Sequence, residues 1–259
     1  MADWLVPDWP APPCVRALCT TRAGGVSAAP YDSLNLGDHV GDDPVSVEEN
    51  RARLATHIGV RPVFLQQVHG TQVLQLTPHT PHASTADACV TTQPQVACTI
   101  MVADCLPALF TDTSGAVVGA AHAGWRGLCN GVIEQSLERF SALASEKPAQ
   151  AAIKSIANEV LVWLGPCIGP TAFEVGPEVR EAFVAKDPQA EACFTPLVSG
   201  KYLADLPALA RQRLAAWGVS RIYGNDSSPS WCTVTNAATY FSHRRDRVSG
   251  RFAACIWRI

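Results

Sequence analysis

The sequence predicts a single α/β domain, and three observations carry that reading. Short apolar runs of strand length recur along the chain, each bounded by Gly, Pro, Asp or Asn. Two segments between them carry apolar residues at helical spacing instead. The length of 259 residues, with 47% hydrophobic and 17% charged residues, suits one sizeable buried core rather than a disordered chain. No repeat, low-complexity tract or charge block marks a boundary, so residues 1–259 read as one domain.

In chain order, the strand runs are RALCTT near Arg16, VFLQQV from Val63, QVLQL from Gln72, VACTIMVA from Val96, AVVGAA from Ala116, VLVWLG from Val160 and FAACIWRI at the C-terminus. Between the third and fourth runs, TPHTPHAST (Thr77 to Thr85) reads as a loop, because two prolines interrupt any ladder. A helix is expected from about Trp125, with Val132, Ile133, Leu137, Phe140 and Ala144 on one stripe and a turn at Lys147-Pro148. Glu174 reads as a possible cap for a helix beginning after Gly176, and a further helix after Asp205 carries Leu206, Leu209, Ala210, Leu214 and Trp217.

The net charge of −3 is spread without a basic stripe, which removes the attraction that nucleic-acid and membrane-surface binders rely on. A small-molecule partner is expected instead. The opening MADWLVPDWPAPP has an acidic residue where an export signal carries Lys or Arg, and no apolar run reaches bilayer length. A cytoplasmic location follows as the expectation. The ten cysteines are scattered without any Cys-X-X-Cys pair and read as mostly reduced, buried residues.

Three strand runs end on chemistry-bearing residues: VFLQQVH at His69, TIMVADC at Cys105 and VVGAAH at His122. If those ends lie together, two imidazoles and a thiolate form a plausible zinc set with a fourth position open, as catalytic zinc requires. The small residues of AHAGWRG would let ligand and substrate approach the backbone around His122. The residues equally allow a metal-free pair in which Cys105 is a thiol nucleophile and His122 its base.

Five motifs, with SLNLGDHVGDDPVSVEENR upstream, resemble the YfiH family, also called the laccase-domain or polyphenol-oxidase-like family. They are QQVHG at Gln66, ADCLP at Ala103, AHAGWRG at Ala121, GPCIGPTAFEVG at Gly165, and FSHRRD with SGR near the end. The resemblance covers most of the chain and implies layered mixed β-sheets flanked by helices. It also implies zinc at His69, Cys105 and His122, and a purine nucleoside enzyme. The implied reactions are phosphorolysis of adenosine, inosine, guanosine and S-methyl-5′-thioadenosine, and deamination of adenosine. Arg51, in ENRAR, falls where the family contacts phosphate and nucleoside, and Asn35, in SLNLG, is a candidate for the same pocket.

Other residues are candidates on chemistry. Arg126, Arg244 and Arg245 could fork onto phosphate oxygens. Asp104 could carry a proton or orient a ligand, and Gln67 shares a strand face with His69 by period two. The family's members include peptidoglycan editing factors, so a hydrolase acting on a cell-wall precursor through the same three residues is the alternative enzyme. A non-enzymatic metal-dependent binding protein is a further one. Multicopper oxidation needs many imidazoles, largely as His-X-His pairs. This chain has seven histidines and no such pair, although copper could occupy the site adventitiously. Two departures from the family stand out: Thr171, Ala172 and Phe173 replace a common Cys-Cys-Tyr, and the 143–158 connection is longer than usual.

Overall fold

The structure, a computed structural model, describes residues 4–144 and 157–259. In chain order its strands are β1 (Val15–Cys19), β2 (Arg61–Phe64), β3 (Val73–Gln75), β4 (Ala88–Thr91), β5 (Val96–Val102), β6 (Leu106–Asp112) and β7 (Val118–Ala123). They continue with β8 (Val160–Leu164), β9 (Glu174–Val175), β10 (Phe194–Pro196), β11 (Tyr202–Ala204), β12 (Arg221–Gly224) and β13 (Phe252–Arg258). They build a four-stranded sheet ordered β1-β13-β5-β2, a six-stranded sheet ordered β12-β8-β6-β7-β4-β3, and a small sheet ordered β10-β11-β9.

Period-two alternation assigns the faces. In β5, Cys98, Ile100 and Val102 point into the space between the two large sheets, where they meet Cys89, Leu109, Val118 and Trp163 of the six-stranded sheet. Ala97 and Met101 of the same strand point the other way, onto Leu54 and Ile58 of helix α1 (Pro44–Ile58). The outer face of the six-stranded sheet, with Ala108, Phe110, Ala121 and Val162, packs on Leu128, Ile133, Leu137, Phe140 and Leu209 from helices. The result is a helix, two sheets and a helical layer. Layered mixed sheets flanked by helices were expected, and that is the architecture.

Helix α1 escaped the periodicity reading because its buried stripe is only half apolar: Val47, Leu54 and Ile58 share it with Asn50. The Asn50 amide is fully buried and works as a hub, accepting from Val26 N and donating to Ser27 Oγ, Ser33 O and Asn35 O. Its ends are conventional. Asp43 accepts from the amides of Val45 and Ser46 at the N-terminus, and Gly59 closes the C-terminus at φ 72°.

The helix expected from Trp125 is two helices, α2 (Trp125–Asn130) and α3 (Val132–Ala144). Gly131 at φ 101° separates them, a backbone conformation that side chains avoid. The helix after Asp205 is present as Leu206–Ala216, with the Asp205 carboxylate accepting from Ala208 N. A helix does start after Gly176, but Glu174 does not cap it; its carboxylate pairs with Lys201 at 2.7 Å. The turn at Lys147-Pro148 and most of the 143–158 connection lie outside the described residues. All ten cysteines are free, and seven are buried. Among the described residues, no helix is long and apolar enough to cross a membrane.

Candidate metal centre

The three residues converge, but by different routes from the three strand ends expected. β2 stops at Phe64, five residues before His69, and beyond an isolated bridge between Gln66 and Thr85 the backbone is held by side chains instead of a ladder. Gln67 clamps the Met101 peptide from the side, donating to Met101 O and accepting from Met101 N, both at 2.8 Å. The buried Asp87 carboxylate then accepts from the amides of Val68, His69 and Gly70 at 3.1, 2.8 and 2.7 Å. His69 is held at φ 60°.

Cys105 sits where the chain crosses from the four-stranded to the six-stranded sheet, after a turn in which Asp104 adopts φ 87°. His122 lies within β7, opposite Pro107 of β6, and its amide donates to Asp87 O at 2.7 Å.

One potential ligand atom from each of the three lies within 4.8 Å of the others, and this is the one such group of three or more among the described residues. The Cys105 thiol is 3.7 Å from His69 Nε2, and the two imidazole centroids are 4.7 Å apart at 68°. His122 is buried, Cys105 partly exposed and His69 exposed, so the group opens to solvent on one side only.

Gly124 explains the small residues around His122. A Cβ added there would lie 2.9 Å from Cys105 Sγ and 2.9 Å from His69 Cδ2, closer than real contacts allow. Gly127 similarly passes against the Gly70 carbonyl, where a Cβ would sit at 2.9 Å. The three side chains meet over backbone that no side chain may occupy.

Burial, the largest single influence, pushes the Cys105 thiol up, but His122 and then His69 outweigh it together and bring it down to about 6. Burial pushes His122 down, and Cys105 followed by Asp87 overcome it, taking the imidazole up to about 9. Thiolate and imidazole donors of this kind suit zinc or copper, and the residues fit a single ion.

The remaining candidates divide sharply. Asp104 spends both carboxylate oxygens, accepting from Thr233 Oγ1 and from Arg244 N, each at 2.6 Å, while Ile168 N donates to its carbonyl. It fastens the Cys105 turn to two distant segments and is not poised as a proton carrier. Asn35 is fully buried and tied to Gly37, Asp42 and the Arg251 amide. Arg244 donates to the carbonyls of Ala172 and Glu174 above the Phe173 ring. Arg245 is bound to the carbonyls of Thr233, Val234 and Tyr240.

Asn35, Gln67, Arg244 and Arg245, read as substrate contacts or free anion sites, therefore act in this structure as frame. Arg51 bonds Leu36 O and Asp38 and stacks on Phe64. It lines a groove of about 980 Å³ between α1 and β2 whose walls include none of the three ligands. Arg126 differs: it is exposed, lies 4.6 Å above the Trp125 ring, and makes no hydrogen bond among the described residues. The helix carrying it begins directly after Gly124.

Sequence reasoning missed Asp87, Thr233 and Arg251. Asp87 stands just before β4, with no local spacing to connect it to His69 or His122. Arg251, with burial pushing its guanidinium down, carries a charge that Cys105 and Asp104 pull the other way. Phe173 is buried in the core beneath Arg244.

A family model described as "Multi-copper polyphenol oxidoreductase laccase" matches residues 16–259. The chain is 50% identical over 258 residues to the purine nucleoside phosphorylase PA4543 of Pseudomonas aeruginosa, covering 99% of both chains. It is equally 50% identical over 261 residues to the purine nucleoside phosphorylase YfiH of Escherichia coli, covering 100% of both. The crystal structure of protein NMB0706 from Neisseria meningitidis superposes with a TM-score of 0.87 at 43% identity and 99% coverage of each chain. With the motifs, the layered sheets and the converged His-Cys-His group all in place, the chain belongs to this laccase-like family, alongside YfiH.

Proposed function

We propose that this protein is a zinc-dependent purine nucleoside phosphorylase. Its substrates on this reading are adenosine, inosine, guanosine and S-methyl-5′-thioadenosine, and it also deaminates adenosine. The observation that carries the reading is the convergence of His69, Cys105 and His122 on one point, with the thiol already near its ionised form at neutral pH. The names of two relatives at 50% identity supply the substrate class.

Bound by these three residues, zinc supplies Lewis acidity, which makes water a nucleophile at neutral pH. The chain's own residues do the rest. His122 and Cys105 hold opposite charges against each other in the metal-free site, so the thiolate is ready to bind an ion while the imidazolium must first release its Nε2 proton. Arg126 offers the guanidinium that the frame leaves unspent, and a planar fork of that kind matches phosphate oxygens. Arg51 contributes from the neighbouring groove, and Asn35, Gln67, Asp104 and Arg244 keep the walls in register. The location on this reading is cytoplasmic.

One observation favours a second reading. A thiolate beside an imidazolium is the pair that a cysteine hydrolase uses, and such an enzyme could act on a cell-wall precursor. Phosphate-dependent release of hypoxanthine from inosine, and ammonia release from adenosine, decide between them. Wild type should do both, and Cys105→Ala neither. Wild-type protein loaded with zinc that turns over no nucleoside but cleaves a muropeptide would replace the first reading with the second.

A further inference from the structure

We propose that Asp87 is the positioning residue of the metal centre, one carboxylate that fixes His122 as an Nε2 ligand and holds the loop that presents His69. The inference rests on the metal reading of the trio. Oδ1 of Asp87 accepts from His122 Nδ1 at 2.9 Å and from His69 N at 2.8 Å. Oδ2 accepts from Val68 N at 3.1 Å and Gly70 N at 2.7 Å. The side chain is completely buried, so these four donors are its environment.

Two consequences follow. An acceptor-only group facing Nδ1 requires the proton on that nitrogen, so in the neutral ring that binds a metal the lone pair is on Nε2, the atom free to turn toward Cys105 and His69. Three consecutive amides gathered on the other lone pairs also hold His69 at φ 60°, a conformation that a non-glycine residue adopts only when its surroundings impose it. The two histidines come from segments 53 positions apart (122 − 69), and no direct hydrogen bond between them fixes their spacing. Asp87 is the group that both segments share.

The isosteric change Asp87→Asn isolates this role. With its oxygen at the Oδ1 position, the new amide NH₂ faces the Val68 and Gly70 donors. With its oxygen at the Oδ2 position, the NH₂ faces the His69 amide and makes an acceptor of His122 Nδ1, which moves the imidazole proton onto Nε2. Neither orientation serves all four donors.

The test is zinc affinity of the full chain by chelator competition, together with long-range proton–nitrogen NMR of the histidine rings. Wild type should bind one zinc at the trio, with the His122 proton on Nδ1 and zinc on Nε2. Asp87→Asn should stay folded, lose about 10- to 100-fold in zinc affinity and show a changed His122 proton assignment, a signature that a purely structural role would not move. Equal zinc affinity in the two proteins overturns the inference alone. Wild type without zinc at the trio overturns both the metal reading and the inference. If Asp87→Asn does not fold, the wild-type spectrum decides by itself, and His122 bound through Nδ1 refutes the proposal.

Discussion

Replacing Gly124 by alanine tests whether the metal centre depends on a missing side chain. Gly124 has φ −64° and ψ 157°, which alanine adopts freely, so the substitution acts through its Cβ and not through backbone strain. That Cβ would stand 2.9 Å from both Cys105 Sγ and His69 Cδ2, against an ordinary contact of 3.4 Å or more. At least 0.5 Å (3.4 − 2.9) must therefore be found at each of two ligands.

Metal–ligand distances tolerate only about 0.2 Å, so ligands displaced by that much cannot keep full bonding to one ion. Overpacking of this kind costs about 1–3 kcal/mol. Most of it falls on the metal-bound state, because without metal the exposed His69 swings away and only Cys105 must shift, whereas an ion holds both against the Cβ. Zinc affinity should drop roughly 10- to 100-fold, at about 1.4 kcal/mol per factor of ten, while the melting temperature of the metal-free protein changes little. Chelator competition measures the first and calorimetry the second. Unchanged zinc affinity in a folded Gly124→Ala protein would refute the reasoning that the glycine exists to let the ligands meet.

Two further outcomes follow from the site. In metal-free protein, Cys105 should alkylate with a rate that rises through a midpoint near pH 6, since its thiol is held down at about 6 and ionises above that value. At pH 7 about 90% of it should be thiolate, against a few per cent of an ordinary thiol. Iodoacetamide kinetics with Cys105→Ala as the blank isolate this rate, and a midpoint above pH 8 would contradict the charge arrangement. Asp104→Ala should remove two short bonds, to Thr233 Oγ1 and Arg244 N, and leave Thr233 buried without its acceptor. A loss of about 2–4 kcal/mol in denaturant unfolding is expected, with wild-type stability as the contrary result.

The sequence by itself determined the mixed α/β class, while the layering and the candidate His-Cys-His set came from the resemblance of its motifs to the YfiH family. Strand alternation is local, and β5 shows it plainly, with Cys98, Ile100 and Val102 facing one layer and Ala97 and Met101 the other. His69, Cys105 and His122 stood out as candidates because each stands beside an apolar run, and the resemblance of their motifs to the YfiH family picked them out as one set.

Tertiary structure alone decided which polar residues are spent on framing the site and which, like Arg126 among the described residues, make no hydrogen bond. Asn35, Gln67, Asp87 and Asp104 each satisfy backbone groups far away in the chain, and Asn50 hid helix α1 by putting an amide in its buried stripe. Hydrogen bonds to main-chain atoms leave no pattern of spacing, because every residue offers the same N–H and C=O. Those partners become visible only when the folded chain brings them within 3 Å or so of a side chain.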